Sequence, residues 1–301
     1  MTTGVRVGIV LLPQERWATQ RGRWRQAEEW GFAHAWTYDH LAWRPLAAEP
    51  WFATVPLLAA AAEATSRIEL GTFVASPNFR HPVPFAKDVM GLDDVSGGRF
   101  VLGVGAGGEG FDASVTGPPL ARGERTRRFE EFVGVLDALL TQPLTEHRGE
   151  FYTAHEARMV PGTIARPRTP FVVAAAGPRT MALAARYGQG WVTYGASYST
   201  EDVEDDPSQA QERWWAALAE QVAAFDEIER AHRPGATRLR RYLSLDGAPR
   251  YSLTSPDLAL EGVERAAALG FTDVVIHWPR REGIYAGSDK ALEAFVGRLP
   301  R

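Results

Sequence analysis

Two short segments of the chain carry ionisable side chains in settings that suit acid–base chemistry. His40 follows Asp39 at the end of an apolar run, and an imidazole there can act as a general base, as a donor to a cofactor carbonyl or as a metal ligand. Glu109 is the only ionisable residue in the glycine-rich run 103–110, where desolvation of its carboxyl group would suit acid catalysis. The alternatives are a histidine packed under a loop and an exposed loop glutamate.

The segment 174–180 has the composition of a phosphate site. Its small residues precede a predicted helix, whose first backbone N–H groups and dipole attract anions. A guanidinium and a hydroxyl group in the segment can add to that attraction, although a helix start packed closely on a strand is the alternative. The predicted phosphate-binding residues are Ala176, Gly177, Arg179 and Thr180. Further basic residues expected near this site are Arg166, Arg168 and Arg186.

These candidates follow predicted strands of an α/β protein. Apolar runs of strand length alternate with helix-patterned segments, which predicts a closed (β/α)8 TIM barrel with an open sheet as the alternative. In such a barrel the carboxyl ends of the strands form the active-site mouth. The predicted strands are 5–12, 33–38, 68–74, 100–105, 171–175, 191–194, 239–245 and 273–277. The predicted helices are 15–30, 52–64, 84–95, 125–140, 179–187, 210–231, 256–269 and 289–299.

Turn residues and long connections complete this prediction of one domain over residues 1–301. Gly31, Gly188 and Gly270 follow predicted helices, where a left-handed cap favours glycine. Ser255 before Pro256 is typical of a helix start. Two insertions, 141–170 before the fifth strand and 195–208 after the sixth, are long enough to be lids or disordered loops.

Composition restricts the function classes. The chain has 301 residues, 45% of them hydrophobic, and a net charge of −4, which argues against a nucleic-acid or membrane partner. It contains no cysteine, so disulfides, thiolate zinc sites and cysteine nucleophiles are excluded. The seven histidines form no H-E-x-x-H motif, and we expect no metal site. No apolar run approaches the ~20 residues of a membrane span, and no signal peptide is visible, so we expect a cytoplasmic protein.

Several motifs resemble those of a known family. Phe79-Arg80-His81-Pro82, Leu92-Asp93, Ser96-Gly97-Gly98-Arg99 and Leu102-Gly103-Val104-Gly105 are similar to the signature of the bacterial-luciferase-like superfamily. Its members are barrel oxidoreductases that use FMN or the deazaflavin coenzyme F420. Segments 31–43 and 171–180 match as well, so the resemblance covers most of the chain.

The resemblance implies further site residues. A non-prolyl cis peptide bond, here between Phe73 and Val74, would support the central ring of the cofactor from behind. Asp39 with His40, and Glu109 in the glycine loop, resemble the deazaflavin-dependent branch. Asp39 would then bind the cofactor, and His40 and Glu109 would handle protons at its ring. In the glycine loop, the cofactor-binding residues would be Gly105 and Gly107.

The resulting hypothesis is an oxidoreductase that transfers a hydride between coenzyme F420 and a small organic substrate. One alternative is an FMN-dependent monooxygenase of the luciferase-like type, supplied with reduced flavin by a separate reductase. Another is a non-catalytic flavin-binding protein. Expected partners are the small-molecule substrate, a separate flavin or F420 reductase and a second copy in a homodimer.

Overall fold

A closed sheet of eight parallel strands forms the centre of the molecule. The computed structural model describes residues 4–43, 46–108 and 110–299. The strands are β1 (Arg6–Val10), β2 (His34–Thr37), β3 (Glu69–Thr72), β4 (Phe100–Val104), β5 (Thr145–Arg148), β6 (Thr153–Ala157), β7 (Phe171–Ala174), β8 (Gly190–Thr193), β9 (Arg240–Ser244) and β10 (Asp273–His277). The barrel order is β1-β10-β9-β8-β7-β4-β3-β2, with β5 and β6 outside it. The predicted (β/α)8 barrel is therefore confirmed, with each predicted strand in place.

Helices surround the barrel and cover its outer face. They are α1 (Trp17–Glu29), α2 (Thr54–Ala64), α3 (Pro82–Val95), α4 (Phe111–Val115), α5 (Arg122–Thr141), α6 (Pro178–Tyr187), α7 (Thr200–Asp205), α8 (Pro207–His232), α9 (Pro256–Ala268) and α10 (Asp289–Val296). All eight predicted helices are present. Helix α8 begins three residues earlier than predicted because the Asp206 carboxylate accepts from the backbone N–H groups of Ser208 and Gln209, which caps the helix.

Two of the three predicted glycine caps are confirmed. Gly31 and Gly270 have φ values of +85° and +83°, in the left-handed region that favours glycine. The prediction for Gly188 is wrong, because its φ is −77°. Glycine is needed there for space, since a Cβ would lie 2.6 Å from the carbonyl oxygen of Ala184. Ser255 caps α9 as predicted, with its Oγ accepting from the N–H of Leu258.

The two insertions contain secondary structure that the sequence did not indicate. Strands β5 and β6 form an antiparallel hairpin, so the predicted insertion 141–170 is present and is not a disordered loop. Glu131 of α5 holds the hairpin turn, because its carboxylate accepts from the N–H groups of Phe151 and Tyr152 at 3.0 and 2.8 Å. The second insertion, expected to be a lid or a disordered loop, contains the short helix α7.

The core has two layers. The larger one lies between the strands and the helices. The smaller one fills the barrel and consists of Val10, Trp36, Tyr38, Phe73, Val101, Val172, Val192, Tyr242 and Val275. Because the barrel interior is filled, ligands must bind at its ends. Within the described ranges, no helix is both long enough and apolar enough to cross a bilayer.

Candidate active site

A cavity of about 740 Å³ opens at the carboxyl ends of the barrel strands, within the size range of small-molecule sites. Its lining comes from the segments after β2, β3, β4, β7, β8 and β10 and from the first turns of α5 and α6. Nine predicted site residues line it, namely His40, Phe73, Val74, Gly105, Gly107, Ala176, Gly177, Arg179 and Thr180. The structure therefore brings together segments separated by up to 140 residues.

The part of the cavity wall formed by the residues after β3 has the backbone geometry that the family resemblance implies. The peptide bond between Phe73 and Val74 is cis, which confirms that expectation. Gly105 lies against this wall, since a Cβ there would be 2.7 Å from the Val74 side chain. Gly107 has a φ of +74° and a Cβ there would lie 2.6 Å from the Asn78 amide. Both glycines are thus required by local packing, and both leave room in the cavity.

His40 is oriented by a carboxylate distant in sequence. Its Nδ1 lies 2.5 Å from Oδ2 of Asp112, and Asp112 also accepts from the N–H of Leu41 at 2.8 Å. Asp112 is only 3% exposed, whereas the His40 side chain retains 29% of its surface at the cavity. Because a carboxylate is an acceptor, Nδ1 carries the hydrogen and Nε2 is the remaining ring nitrogen. The pair can hold or transfer a proton at the cavity wall.

Asp112 was missed by the sequence analysis. It lies in the five-residue helix α4, which is too short to show a periodic pattern. Acidic residues in loops are common, and nothing near Asp112 in the chain marks it as the partner of a residue 72 positions away.

Asp39 has a different place from the predicted one. It is 1% exposed and does not line the cavity. Its two carboxylate oxygens accept from Nε and Nη2 of Arg80, both at 2.6 Å. The bidentate pair fixes the end of β2 to the loop before α3, so Asp39 positions its neighbour His40. Glu109 lies outside the residues that the structure describes, and its role remains a prediction.

Two helix starts form the basic end of the cavity. At the start of α6, the residue before the helix is Gly177, and Thr180 donates from Oγ1 to the Gly177 carbonyl at 3.0 Å. Arg179 forms an ion pair with Glu130, with Nε 3.0 Å from the carboxylate. Helix α5 packs against α6 and contributes three lining residues that the sequence analysis missed, namely Arg122, Arg125 and Thr126. The combination of helix starts, cations and hydroxyl groups suits a phosphate.

The other basic residues expected near this end are placed elsewhere. Arg168 is buried, and its guanidinium donates to Asp137 and to the Tyr187 carbonyl at 2.8 and 2.7 Å. Arg166 bonds to the carbonyl of Thr163, and Arg186 lies over the Tyr187 ring. None of these three arginines lines the cavity. The arginines that do line it lie at the starts of α5 and α6.

Aromatic side chains form the opposite end of the cavity. In the barrel order, β10 and β2 lie across from β4 and β7, and the residues that follow them are aromatic. Trp43 stacks on Tyr285 with ring centroids 6.1 Å apart, and Tyr38 meets Trp43 edge to face at 5.2 Å. Tyr194 contacts Phe73 at 5.5 Å. Burial raises the pKa of Tyr285 well above the usual range, so its hydroxyl group stays protonated.

Comparison with known proteins places the chain in a family. The family model described as luciferase-like monooxygenase matches residues 2–217. F420-dependent glucose-6-phosphate dehydrogenases from Beutenbergia cavernae and Kineococcus radiotolerans are 31% and 32% identical to the chain, and each match covers 85% of this chain and 86% of the relative.

Solved structures share the fold at lower identity. The coenzyme F420-dependent tetrahydromethanopterin reductase from Methanopyrus kandleri superposes with a TM-score of 0.69 at 17% identity, covering 97% of this chain and 96% of the other. Monooxygenase RslO1 from Streptomyces bottropensis superposes with a TM-score of 0.76 at 19% identity, covering 98% of both chains. The chain belongs to the luciferase-like monooxygenase family.

Proposed function

We propose that this member of the luciferase-like family is an oxidoreductase that transfers a hydride between coenzyme F420 and an uncharged organic substrate. The observation that carries the proposal is the similarity of the chain to F420-dependent glucose-6-phosphate dehydrogenases, which extends over 85% of its length. The lining of the cavity fits a cofactor that has a flat ring and a phosphate group.

The side chains present fit such a cofactor. The starts of α5 and α6 supply Arg122, Arg125 and Thr180 for a phosphate. Val74 and the glycine loop offer an apolar wall for a ring. When bound, the deazaflavin supplies a carbon that accepts or donates a hydride. The protein then contributes binding, orientation and proton transfer.

His40 is the proposed acid–base group at the ring edge. Its ring is fixed by Asp112 at Nδ1, which leaves Nε2 to hold a proton or to hydrogen-bond a ring carbonyl. A group held at a fixed distance and orientation is an efficient general acid or base. Glu109 remains the proposed second group, on the strength of its position in the glycine loop.

The aromatic end of the cavity favours an uncharged substrate. Tyr38, Trp43 and Tyr285 enclose that end with rings and hydroxyl groups. The arginines that line the cavity within the described residues lie at the α5 and α6 starts, where a cofactor phosphate would occupy them. We therefore propose an alcohol or ketone with an apolar body, rather than the glucose 6-phosphate named in the relatives.

A side-by-side titration with F420 and FMN tests the cofactor. We expect F420 to bind, with an affinity that falls steeply with added salt, because its anionic tail meets exposed arginines that are screened beyond ~10 Å at about 0.1 M salt. FMN, held mainly by one enclosed phosphate, would respond less. Arg122→Ala should reduce the salt dependence for F420. Tight, salt-insensitive FMN binding without F420 binding would support the FMN-dependent monooxygenase with its separate reductase instead.

Turnover separates the enzyme from a binding protein. Bound F420 should be reduced by uncharged secondary alcohols and remain oxidised with glucose 6-phosphate. A coenzyme that binds but never changes redox state with any alcohol or ketone would indicate a non-catalytic binding protein. We also propose that the chain is one domain and acts in the cytoplasm as a homodimer. When it runs in the direction of carbonyl reduction, a separate F420 reductase would supply the reduced coenzyme. Sedimentation of the purified protein tests the dimer.

A further inference from the structure

A chain of hydrogen bonds leads from the aromatic end of the cavity into the protein. The hydroxyl groups of Tyr285 and Tyr38 are 3.1 Å apart, and the Tyr38 hydroxyl lies 2.8 Å from Nε2 of His277. Nδ1 of His277 lies 2.9 Å from Oδ2 of Asp246. The four residues come from the loop after β10, the end of β2, the end of β10 and the short turn after β9. Tyr285 and Tyr38 line the cavity, and His277 and Asp246 lie behind them.

The partners of Asp246 determine which group donates and which accepts in each hydrogen bond of this chain. Its carboxylate accepts from the backbone N–H groups of Ser252 and His277, at 2.9 and 2.6 Å, so it is an acceptor for the His277 ring as well. Nδ1 of His277 therefore carries the hydrogen, and Nε2 is an acceptor. Tyr38 must donate to Nε2, and Tyr285 must in turn donate to the Tyr38 oxygen. The lone pairs of Tyr285 are then left for a donor in the cavity.

The structure holds this chain rigidly. The His277 and Asp246 side chains are 1% and 0% exposed, and the Tyr285 ring stacks on the His277 ring with centroids 3.8 Å apart. Tyr285 has a φ of +60°, which is uncommon for a residue other than glycine and occurs preferentially at functional sites. Its carbonyl accepts from the N–H of Arg280 at 2.9 Å, which closes the loop and fixes the position of the ring.

We propose that Tyr285 is a catalytic residue that accepts the hydroxyl proton of the substrate, and that Tyr38, His277 and Asp246 carry this proton away. The proposal rests on the proposed function. When an alcohol is oxidised, its carbon-bound hydrogen leaves with both electrons to the coenzyme, which is reduced. The hydroxyl proton passes to Tyr285, the Tyr285 hydrogen to Tyr38, and the Tyr38 hydrogen to Nε2 of His277. The substrate becomes a carbonyl compound, and His277 becomes an imidazolium ion beside the Asp246 carboxylate.

A single tyrosine would be a poor proton acceptor here. Burial raises the pKa of Tyr38 and of Tyr285, so neither hydroxyl group can keep a negative charge. The chain avoids a tyrosinate because it ends at an imidazole, which can take a proton, next to a carboxylate that stabilises the resulting cation. Among the described residues, the titratable groups that face His277 are Asp246, Tyr38, Tyr285 and Tyr251.

Tyr38→Phe tests this proton relay, which runs from Tyr285 through Tyr38 to His277. The variant removes the hydroxyl group in the middle of the relay and keeps the aromatic ring. The matched control is Tyr251→Phe, which removes a hydroxyl that donates to the His277 carbonyl at 2.8 Å but lies outside the relay. With an alcohol substrate, we expect Tyr38→Phe to slow hydride transfer in a single turnover by ~10²-fold, as for loss of general base catalysis. The control should stay within about threefold of the wild-type rate, and both variants should bind F420 within about threefold.

Two further results decide between the relay and simpler roles. Tyr285→Phe and the Tyr38→Phe/Tyr285→Phe double variant should each lose about as much rate as Tyr38→Phe alone, because residues that act as a unit are not additive. The wild-type solvent deuterium isotope effect should show more than one transferred proton and should decrease in Tyr38→Phe. A full rate in Tyr38→Phe, with or without loss in Tyr285→Phe, would overturn the relay.

Histidine ¹⁵N NMR of the protein without coenzyme provides a second readout. We expect neutral His277 with its hydrogen on Nδ1, and an Nε2 resonance that moves in Tyr38→Phe and stays in place in Tyr251→Phe. A hydrogen on Nε2 would overturn the relay even in a fully active enzyme. If F420 fails to bind while the expected resonances are present, the proposed function fails and the hydrogen-bond chain stands.

Discussion

At the scale of single residues, the two carboxylates near His40 have separate tasks. Consecutive residues in an extended segment point to opposite sides, so Tyr38 and His40 face the cavity while Asp39 points away to Arg80. The partner of the imidazole is Asp112 from α4. The acid–base candidate is therefore the pair His40 and Asp112, which come from two distant segments. The ion pair between Asp39 and Arg80 fixes the backbone on the other side of His40.

The first prediction concerns this pair. His40→Ala should lower turnover by ~10²–10⁴-fold and leave the cofactor dissociation constant within a few-fold, as expected for a lost general acid or base. Asp112→Asn should lower turnover by about 10-fold, because the ring loses its charged partner and keeps a neutral one. Steady-state kinetics with a cofactor titration measures both effects.

The control is His155→Ala, which removes an exposed histidine whose Nδ1 lies 3.1 Å from Glu146 on the hairpin. It should leave turnover unchanged. Full turnover in His40→Ala would assign the proton transfer at the cofactor ring to another group, with Glu109 as the next candidate.

At the scale of elements, strong local sequence signals were sufficient to predict the helices and the barrel strands. Helix α9 begins where a serine precedes a proline and ends at a glycine with positive φ. The hairpin β5–β6 has no such signal, because its strands are short, polar and largely exposed. Its position depends on Glu131 of α5, which binds the turn between the strands.

The second prediction tests the start of α6 as a phosphate site. A side chain fits at Gly177, since a Cβ would meet no described atom within 4 Å, and its φ of −117° is open to any residue. Gly177→Asp should therefore fold, and aspartate is a favourable residue before a helix. Its charge should nevertheless weaken cofactor binding at least 10-fold, by about 1.4 kcal/mol or more.

Gly177→Asn is the matched control, because it has nearly the same shape without the charge. It should bind the cofactor within a few-fold of the wild type, and thermal unfolding should show both variants folded. Equal, unchanged affinities in the two variants would move the phosphate to the loops after β9 and β10.

At the scale of the whole molecule, a buried charge network ties the amino ends of the barrel strands together. Asp273 of β10 accepts from Nε2 of His34 on β2 at 3.0 Å and from Arg240 on β9 at 2.7 Å. The Trp36 indole donates to Nδ1 of His34 at 2.6 Å, so the histidine hydrogen is on Nε2. Burial opposes the Asp273 charge, but the bonds from His34 and Arg240 outweigh it and hold the Asp273 pKa well below its usual value.

The third prediction is that this network stabilises the closed barrel. Asp273→Asn should reduce the free energy of unfolding at pH 7 by about 3 kcal/mol, because cations are left without their buried partner. Since the native pKa lies below the unfolded value of 3.8, the contribution is complete above that pH and is lost as the pH falls below it. Urea unfolding at pH 7 and pH 3 should show a smaller difference at the lower pH.

Asp257→Asn is the control for this measurement. It breaks an ion pair with Arg298 whose side chains are 82% and 53% exposed, so it should cost less than about 1 kcal/mol. A loss of equal size in the two variants would mean that the network contributes no more than a surface pair.

The sequence by itself determined the alternation of strands and helices, the barrel and the segments that form its mouth. These follow from apolar periodicity and turn residues, which report local burial. Only the tertiary structure decided which side chains meet there. It pairs His40 with Asp112, adds the arginines of α5 and links Tyr285 to Asp246 through Tyr38 and His277. These partners are far apart in the chain, and closure of the barrel alone brings them into contact, so no local pattern could have indicated them.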